Sequence, residues 1–373
     1  MKIAYLSVFY PYRGGISQYN SLLFEALEKR NEIAAYNFSR QYPQLLFPGS
    51  TQYVTENDNL IKTKSVRILD SINPFTYFTT AKKISKQSPK LLIMGYWIPF
   101  LAPALGMVAK LVRKKGVKVV SVLHNVTPHE HRIGDKQLSR FFLNQNDAFI
   151  VMSKAVRDDL LAIKPNAKYI LHPFPIYSQF GNAIDKIEAR KKLNIPLDKK
   201  ILLFFGLIRD YKGLDIAIEA FNLLSDEYYL VIAGECYGKF EEYQQQIDNN
   251  KNSERIMQHI KYIADDEVTT YFSAADLNVL PYRTATQSAV VALAYQFTSP
   301  VLVTDVGGLR EMVEPYGTGL VVDEPSPTLI ANGITHYFNN QMETNCKLNI
   351  EKFKTDYSWD NLAKSIEDLY KEL

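Results

Sequence analysis

The sequence predicts an α/β protein built from two doubly wound parallel-sheet domains. Apolar runs alternate with helical patterns along the chain of 373 residues, which is longer than a single core usually supports. Most of the runs are continuously apolar, as is typical of strands covered by helices on both faces. The pattern breaks clearly at residues 172–182, where Pro173, Pro175 and Gly181 occur together.

The first half contains six predicted strands and five predicted helices. The strands are expected at residues 3–8, 33–38, 91–95, 117–123, 148–152 and 169–171. The helices are expected at about 16–30, 75–87, 100–115, 136–145 and 153–162. Residues 40–65 have no clear period and are interpreted as a long loop or a short excursion.

The same alternation resumes after residue 185. Strands are expected at residues 201–205, 229–233, 256–263, 277–280, 300–303 and 319–322. Helices are expected at about 212–224, 239–250, 266–275, 287–297, 326–340 and 359–372. The resulting domains are 1–180 and 181–358. A last helix, 359–373, has an apolar face that needs a partner surface and is expected to pack back on the N-terminal domain.

Charge is distributed unevenly between the two halves. Residues 1–180 contain 24 Lys and Arg against 11 Asp and Glu, a net charge of +13, whereas residues 181–373 have a net charge of −10. The basic half is suited to an anionic partner, such as an anionic lipid surface or a phosphorylated acceptor. No RNA-binding motif is present, so nucleic acid is not predicted as a partner.

Cysteine usage and the N-terminus predict the compartment. Two cysteines, Cys236 and Cys346, fit a reducing compartment rather than a disulfide scaffold. The chain starts directly with a predicted strand, without a signal-peptide pattern, and its longest apolar stretch, 97–109, is too short to span a bilayer. A cytoplasmic protein is therefore expected.

The sequence FFGLIRDYKGL, residues 204–214, predicts an anion site. A strand ends at Gly206, two cations follow at Arg209 and Lys212, and a helical pattern begins at Leu214. Backbone N–H groups and the helix dipole at such a turn favour an anion, and two cations indicate a diphosphate. The alternative is that both cations are solvated loop charges.

Further turns occur at the predicted carboxyl ends of strands, where open α/β sheets bind ligands. Gly14 and Gly15 let the backbone approach a ligand, although they do not form the GxGxxG of dinucleotide sites. His124 ends a strand and is interpreted as a hydrogen-bonding residue. A metal site among His124, His129 and His131 is conceivable but lacks a familiar ligand spacing.

In the second half, Gly234 and Glu235 follow a strand, and Thr286, Gln287 and Ser288 precede a helix. Acidic residues at 265–267 are interpreted as helix caps, and Asp276 as a structural residue. Asp305 to Gly308 form another glycine turn. Each of these turns has a purely structural alternative, but together they predict a ligand held in a cleft between two domains.

The combination resembles the retaining nucleotide-sugar glycosyltransferases of family 4, the glycosyl transferases group 1. The resemblance rests on Gly14–Gly15, His124, the loop from Gly206 to Gly213, and the segments AADLNVLPYR and PVLVTDVGG. It implies the GT-B fold, with two Rossmann-like domains facing a central cleft. It also implies transfer of a hexose from a UDP- or GDP-linked donor, without a metal or other cofactor, to a glycan or polyprenyl-linked acceptor in cell-surface polysaccharide synthesis.

The resemblance also implies roles for individual residues. Arg209 and Lys212 would neutralise the donor diphosphate, and His124 would hydrogen-bond the transferred sugar. Gly14, Gly15, Gly206, Gly234, Glu235 and Ile263 would line the donor site. The N-terminal domain would bind the acceptor. Apart from the resemblance, the basic cluster at Arg113, Lys114, Lys115 and Lys118 beside the apolar stretch 97–109 predicts a peripheral contact with the inner face of the membrane, and the alternative is an ordinary helix that packs on the sheet with a solvated end.

Two departures from the family pattern concern the donor site. The family carries two glutamates eight positions apart, and Ala285 and Leu293 stand at those places. Thr286, Gln287 and Ser288 are the expected replacements as hydrogen-bonding groups. The arginine that usually follows the loop glycine directly is replaced by Leu207, with Arg209 two positions later. The alternatives are a nucleotide-sugar epimerase and a non-catalytic sugar-nucleotide-binding relative.

Overall fold

A computed structural model describes residues 1–43, 52–54, 61–127, 134–176, 180–236, 238–285 and 288–373. The chain divides into two compact units. Unit 1 contains Met1–Pro173 and Trp359–Leu373, and unit 2 contains Phe174–Ser358. The sequence-based division at residue 180 lies close to this boundary, which follows Pro173.

Unit 1 is built on a seven-stranded sheet in which every pairing between neighbouring strands is parallel. The order across the sheet is β3-β2-β1-β4-β5-β6-β7. The strands are β1 (Lys2–Leu6), β2 (Glu32–Arg40), β3 (Ser65–Asp70), β4 (Leu91–Tyr96), β5 (Lys118–Leu123), β6 (Ala148–Val151) and β7 (Tyr169–Leu171). The helices are α1 (Gly15–Glu28), α2 (Pro74–Lys86), α3 (Ala102–Arg113), α4 (Asp135–Leu143), α5 (Lys154–Ile163) and α14 (Trp359–Lys371).

Unit 2 has a six-stranded parallel sheet with the order β10-β9-β8-β11-β12-β13. The strands are β8 (Lys200–Phe205), β9 (Tyr228–Ala233), β10 (Ile256–His259), β11 (Leu277–Leu280), β12 (Val301–Thr304) and β13 (Gly319–Val322). The helices are α6 (Lys186–Leu193), α7 (Leu214–Asn222), α8 (Glu241–Asp248), α9 (Asp265–Ala274), α10 (Ala289–Gln296), α11 (Leu309–Val313), α12 (Pro327–Asn339) and α13 (Glu343–Asp356).

The parallel arrangement explains the continuously apolar runs. All six residues of β4 are buried, because helices cover both faces of the sheet. The same holds for β11 and β12 in unit 2. In both units the strand order reverses beside the first strand, and the carboxyl ends of the strands flanking that switch point form the edge where open α/β sheets bind ligands.

The interpretation of residues 40–65 as a long loop was wrong at its end, because β3 begins at Ser65. β3 is an edge strand with only its last two residues buried, so its sequence has no continuous apolar run. Residues 44–51 and 55–60 of that interpretation lie outside the described part of the chain. Helices α6, α11 and α13 were also missed; in α6 only Ala189 and Arg190 are buried, so its sequence carries almost no apolar period.

The last helix, α14, belongs to unit 1, where it packs against α1. Trp359, Leu362, Ile366 and Leu369 form its buried face. Two ion pairs flank this face: Lys29 with Asp360 at 2.8 Å and Arg30 with Glu367 at 3.0 Å. The chain therefore completes unit 1 with residues that follow unit 2 in sequence.

A buried network in unit 2 accounts for Asp276. Its carboxylate accepts hydrogen bonds from Lys186, Arg190 and the backbone N–H of Ile201, each at 2.6 Å. Arg190 is itself buried and also donates to the carbonyl oxygens of Ala274, Leu197 and Lys199. The prediction that Asp276 is a structural residue is confirmed.

Candidate functional site

The loop that follows β8 places a buried cation at the carboxyl edge of the unit 2 sheet. Gly206 adopts φ +100°, a conformation that favours glycine, and turns the chain away from the strand. A short 3-10 turn, Asp210–Lys212, then leads through Gly213, at φ +68°, into α7. The ε-amino group of Lys212 folds back over Gly206, since a Cβ added there would lie 3.0 Å from Nζ.

Lys212 is buried, with 8% of its surface exposed. Burial, and secondarily the nearby charge of Arg209, lowers the pKa of Lys212 to about 8. No acidic side chain among the described residues forms an ion pair with it, and its Nζ lies 5.7 Å from the centre of the Tyr282 ring. Burial of an ammonium without a carboxylate partner is unfavourable, so the pocket suits an anionic ligand that would restore the full charge of Lys212.

Arg209 lies at the start of the 3-10 turn, and its side chain is exposed. Its carbonyl oxygen accepts the N–H of Lys212 at 2.9 Å. The two cations of the loop are therefore fixed in different ways: Lys212 is buried against Gly206, whereas Arg209 projects from the turn. This arrangement offers an anion one desolvated and one solvated positive charge.

Gly234, at the end of β9, packs against the same loop. A Cβ at this position would lie 2.0 Å from the carbonyl oxygen of Gly206, so a larger residue cannot be accommodated without a backbone shift. The N–H of Gly206 donates to Ala233 at 2.9 Å, and the N–H of Ile208 donates to the carbonyl of Glu235 at 2.8 Å. The predicted residues Gly206, Gly234 and Glu235 are thus joined through the backbone.

Arg283 fixes the far side of the loop. Its guanidinium forms a bidentate ion pair with Asp215, in the first turn of α7, and donates to the carbonyl of Asp210 at 2.7 Å. Its backbone N–H donates to the carbonyl of Tyr211, also at 2.7 Å. Sequence reasoning missed Arg283, although it ends the quoted segment AADLNVLPYR and was the one cation there.

Tyr282 and Ser288 form a polar wall beside Lys212. Both residues are buried, and their hydroxyls lie close to each other, with no further hydrogen-bond partner among the described residues. Burial raises the pKa of the Tyr282 phenol, so this group stays protonated as a donor. Two neighbouring buried hydroxyl groups, one of them on the ring beside the Lys212 ammonium, have hydrogen-bonding capacity left for a polar ligand.

The segment with the missing glutamates lies next to this wall. Leu293 is buried within α10 and 8% exposed, so it contributes packing rather than a polar contact. Ala285 is half-buried just before it. Thr286 and Gln287 lie outside the described residues. Ser288, whose hydroxyl lies close to that of Tyr282, is the predicted replacement that the structure describes.

Ile263 is buried between β10 and α9. The predicted strand 256–263 ends earlier, at His259, whose Nδ1 lies 2.6 Å from the Tyr271 hydroxyl. The acidic residues 265–267 form the first turn of α9, and the Glu267 carboxylate accepts the N–H of Ala264 at 3.2 Å. The N-cap residue of α9 is Ala264, so the prediction that these acids are N-caps is wrong, although Glu267 accepts the N–H of the N-cap residue from within the first turn.

In unit 1, Gly14 and Gly15 connect β1 to α1. Gly14 has φ +109°, and a Cβ at either glycine would meet no atom of a described residue within 4 Å. The turn therefore leaves room at the carboxyl edge of the unit 1 sheet as far as the described residues go. Asn20 anchors the helix that follows, since its amide donates to Ser7 Oγ at 2.8 Å and to the carbonyl of Val8 at 2.9 Å.

His124 follows the last residue of β5, as predicted. Its ring packs edge-on against Tyr19, with 4.9 Å between ring centres, and Tyr19 in turn contacts Trp359 at 5.0 Å. Burial lowers the pKa of His124 to about 4, so the imidazole is neutral at pH 7. Its Nε2 has no hydrogen-bond partner among the described residues, which leaves it able to bind a hydroxyl group.

The histidine cluster is only partly described, because His129 and His131 lie outside the described residues. Within the described ranges, no group of three or more His, Cys, Asp or Glu side chains is placed to hold a metal ion. Cys236 and Cys346 are free thiols.

The structure brings together Gly206, Lys212, Gly234 and the backbone of Glu235, with Tyr282 and Ser288 beside them. Comparison with known protein families finds a match for this part of the chain. Residues 185–355, which include this whole cluster, match the family model of glycosyl transferases group 1. Unit 2 carries a group 1 glycosyltransferase domain.

Curated relatives extend the likeness beyond this domain. An uncharacterized glycosyltransferase of Methanocaldococcus jannaschii is 24% identical over all of this chain and 99% of its own length. The putative teichuronic acid biosynthesis glycosyltransferase TuaC of Bacillus subtilis is 26% identical over 65% of this chain and 61% of its own. A D-inositol 3-phosphate glycosyltransferase of Corynebacterium urealyticum is 27% identical, but the match spans only about half of each protein.

Solved structures match the fold across the whole chain. HepE of Anabaena, solved in complex with UDP, superimposes with a TM-score of 0.75 at 17% identity and full coverage of both chains. The sucrose-phosphate synthase of Thermosynechococcus elongatus gives a TM-score of 0.71 at 18% identity, covering 100% of this chain and 98% of its own. The GT-B fold class with two parallel-sheet domains is confirmed, and the predicted match to the glycosyl transferases group 1 is confirmed for residues 185–355.

Proposed function

We propose that the protein transfers a sugar from a nucleotide-diphosphate sugar, and that the loop from Gly206 to Gly213 binds the donor diphosphate. The observation that carries the proposal is the Lys212 ammonium, which is buried beside a second cation without an acidic partner among the described residues. A diphosphate supplies the missing negative charge. The match of residues 185–355 to the group 1 family supports the same reaction class.

The chemistry follows from where charge develops. As the glycosidic bond to the donor phosphate breaks, negative charge accumulates on the leaving diphosphate, and fixed cations at that point lower the barrier. Lys212 is held in place by burial against Gly206, so it needs little reorganisation. Arg209 adds a second charge. In unit 1, the neutral imidazole of His124 is proposed to hydrogen-bond the transferred sugar through Nε2.

The transfer is proposed to retain the anomeric configuration, with the departing phosphate oxygen accepting the proton of the acceptor hydroxyl. This route needs no protein carboxylate as a nucleophile, and Ala285 and Leu293 stand where the family carries glutamates. The hydroxyl groups of Ser288 and Tyr282 are proposed to provide the hydrogen bonds that those glutamates would make. No metal ion or other cofactor is invoked.

The donor nucleotide is proposed to be UDP or GDP. UDP is favoured by the fold neighbour HepE, which has been solved with UDP and with UDP-glucose. The acceptor is proposed to be a glycan or a polyprenyl-linked glycan in cell-surface polysaccharide synthesis, in the cytoplasm. The relative TuaC, named for teichuronic acid biosynthesis, supports this class of product. Unit 1 is proposed as the acceptor-binding domain and unit 2 as the donor-binding domain.

A thermal-shift screen with UDP, GDP, ADP, UDP-glucose and uridine tests the donor proposal. A ligand that binds only the folded protein raises the melting temperature. We expect a diphosphate to raise it in the wild-type protein and in Lys251→Met, an exposed-lysine control, but not in Lys212→Met. Equal shifts with uridine and UDP would show that the diphosphate is not recognised.

A non-catalytic nucleotide-sugar-binding protein is the second candidate, and the absence of both glutamates favours it. An epimerase on the same type of fold is a further alternative. Incubation of the protein with a donor identified in the screen separates the three by product analysis. The proposed transferase releases nucleoside diphosphate faster when a glycan acceptor is added, an epimerase changes the sugar without acceptor, and a binding protein leaves the donor intact.

A further inference from the structure

A second charged surface lies in unit 1, away from the turn at Gly14 and the ring of His124. Residues 71–129 contain nine Lys and Arg and not one Asp or Glu. The segment covers α2, β4, α3 and β5, so its cations are concentrated on one part of the folded unit. This local excess is far larger than the net charge of +3 of the whole chain.

The lysines of this segment gather at the amino edge of the sheet. Lys90 directly precedes β4, Lys118 begins β5, and Lys86 ends α2. Lys114 and Lys115 follow the end of α3. Gly14 and His124 lie at the opposite, carboxyl edge. Because a strand rises about 3.3 Å per residue, a six-residue strand such as β4 separates the two edges by about 20 Å.

Two grooves at this edge adjoin at Gly116 and Val117. The larger one has a volume of about 830 Å³ and lies between α2 and the residues that follow α3. Seven lysines line the two grooves, and none of them forms an ion pair with a described residue. They are Lys82, Lys86, Lys90, Lys110, Lys114, Lys115 and Lys118. The acidic residue of the lining, Asp147, is already bound by Arg113 at 2.8 Å.

Exposed aromatic side chains continue the lysine surface along α2. Phe75 is 81% exposed and Phe78 is 54% exposed, although Tyr77, Ala81 and Ile84 of the same helix are buried. Phe75, Phe78, Lys82 and Lys86 follow one another at spacings of three or four residues, so they lie on one side of the helix. The solvent face of α2 therefore carries aromatic rings near its start and lysines near its end.

We propose that this lysine surface and the two phenylalanines of α2 bind an anionic phospholipid bilayer. Unpaired lysines attract the negative surface of such a bilayer, and exposed aromatic rings on an amphipathic helix enter its headgroup region. A soluble polyanion would use the lysines but would leave the two rings in water. The charge of the surface and its exposed rings thus favour a bilayer as the occupant.

The proposed contact runs along the solvent side of α2. Phe75 lies near the start of this helix and Lys86 ends it at the amino edge of the sheet. Eleven helical residues at 1.5 Å each place the two about 16 Å apart, so the bilayer would lie along α2. Binding to the bilayer does not rest on the proposed transferase function.

Vesicle flotation tests the proposal. The probes are phosphatidylcholine vesicles and vesicles that also contain about 30% phosphatidylglycerol. We expect the wild-type protein to float only with the anionic vesicles, and binding to weaken as salt rises, because exposed charges are screened. Absence of binding to anionic vesicles, or equal binding to both kinds, would overturn the proposal.

A charge variant locates the contact. The fourfold change Lys82→Gln, Lys86→Gln, Lys90→Gln and Lys115→Gln is expected to weaken the vesicle partition constant about 10²–10³-fold. A matched control changes four exposed lysines of unit 2 to Gln: Lys191, Lys239, Lys251 and Lys352. The control is expected to bind within about threefold of the wild-type protein. Equal losses in the two variants would show that only overall charge matters and would contradict the assigned surface.

The rings provide an independent test. Phe75→Ser with Phe78→Ser leaves every lysine in place and is expected to remove the part of the binding that persists at high salt. Thermal melting of each variant checks that it is folded. Tight binding to heparin without binding to anionic vesicles would show that the surface binds a soluble polyanion, and it would overturn the proposal. Melting shifts with UDP should be unchanged in all these variants, so failure here is separable from failure of the donor site.

Discussion

Lys212 lowers the stability of the folded protein, although its charge serves the proposed function. Folding buries its ammonium and lowers its pKa from the ordinary value of 10.5 to about 8. We expect Lys212→Met, which keeps the stem and removes the charge, to raise the free energy of unfolding at pH 7 by about 1–3 kcal/mol. Urea unfolding measures this, with Lys251→Met as a control. A destabilised Lys212→Met protein would contradict the described burial.

Lys212 also makes the stability of the folded protein depend on pH in a definite direction. Between pH 8 and 10.5 the unfolded chain binds more protons at Lys212 than the folded protein does, so this residue makes stability rise with pH in that window. The advantage of Lys212→Met over the wild-type protein should therefore shrink from pH 8 toward pH 10.5. Paired urea unfolding curves at pH 7, 9 and 10.5 measure it. A constant difference would mean that Lys212 is not the titrating group.

Asp276 illustrates a structural role at the residue scale. Removal of its carboxylate leaves Arg190 buried without its charged partner. We expect Asp276→Ala to lower the free energy of unfolding by about 3–5 kcal/mol. The exposed Asp198→Ala is the control and should change it by less than about 0.5 kcal/mol. A small effect of Asp276→Ala in urea unfolding would show that the network contributes little.

At the scale of elements, the donor loop depends on Arg283, which ties the 3-10 turn to α7 and to the chain after β11. Arg283→Lys keeps the charge but loses the bidentate geometry with Asp215 and the bond to the Asp210 carbonyl. We expect nucleoside diphosphate binding to weaken about tenfold. Titration calorimetry measures this. The matched control Arg310→Lys, at an ion-paired site in the first turn of α11, should bind normally.

The strands of both sheets were predictable because parallel strands are buried on both faces and appear as apolar runs. β3 and α6 were not predictable, because each exposes most of its side chains and its sequence therefore has no clear apolar periodicity. The loop cations and the glycines at 206 and 234 were found from their position after strands. The ion pair of Arg283 with Asp215 and the position of Tyr282 beside Lys212 join segments about 70 residues apart. Local sequence patterns do not reveal contacts of this kind.

At the scale of the whole molecule, the chain crosses from unit 2 back to unit 1 and ends there as α14. Trp359 and four further apolar side chains are buried on unit 1. We expect a protein ending at Ser358 to lose stability in unit 1 and not in unit 2. Hydrogen exchange followed by mass spectrometry should show faster exchange in α1, and unchanged exchange in β8 and β9. Equal effects in both units would contradict the assignment of α14.

The two halves of the molecule also differ in charge in a way that fits separate tasks. In unit 2, the loop from Gly206 to Gly213 holds a buried cation, Lys212, that has no ion-pair partner among the described residues, which suits a small anion. Unit 1 spreads seven lysines over one edge, which suits an extended surface. Among the described residues, no helix has the length and apolar character needed to cross a bilayer.

The central claim is that Lys212 binds the diphosphate of the donor. Calorimetric titration of UDP and GDP into the wild-type protein, Lys212→Met and Lys251→Met at pH 7 tests it most directly. We predict that at least one of the two nucleotides binds the wild-type protein and Lys251→Met equally, and that Lys212→Met binds it at least tenfold more weakly, in the range of a lost charged contact. Equal affinity of Lys212→Met and the wild-type protein for that nucleotide would contradict the account.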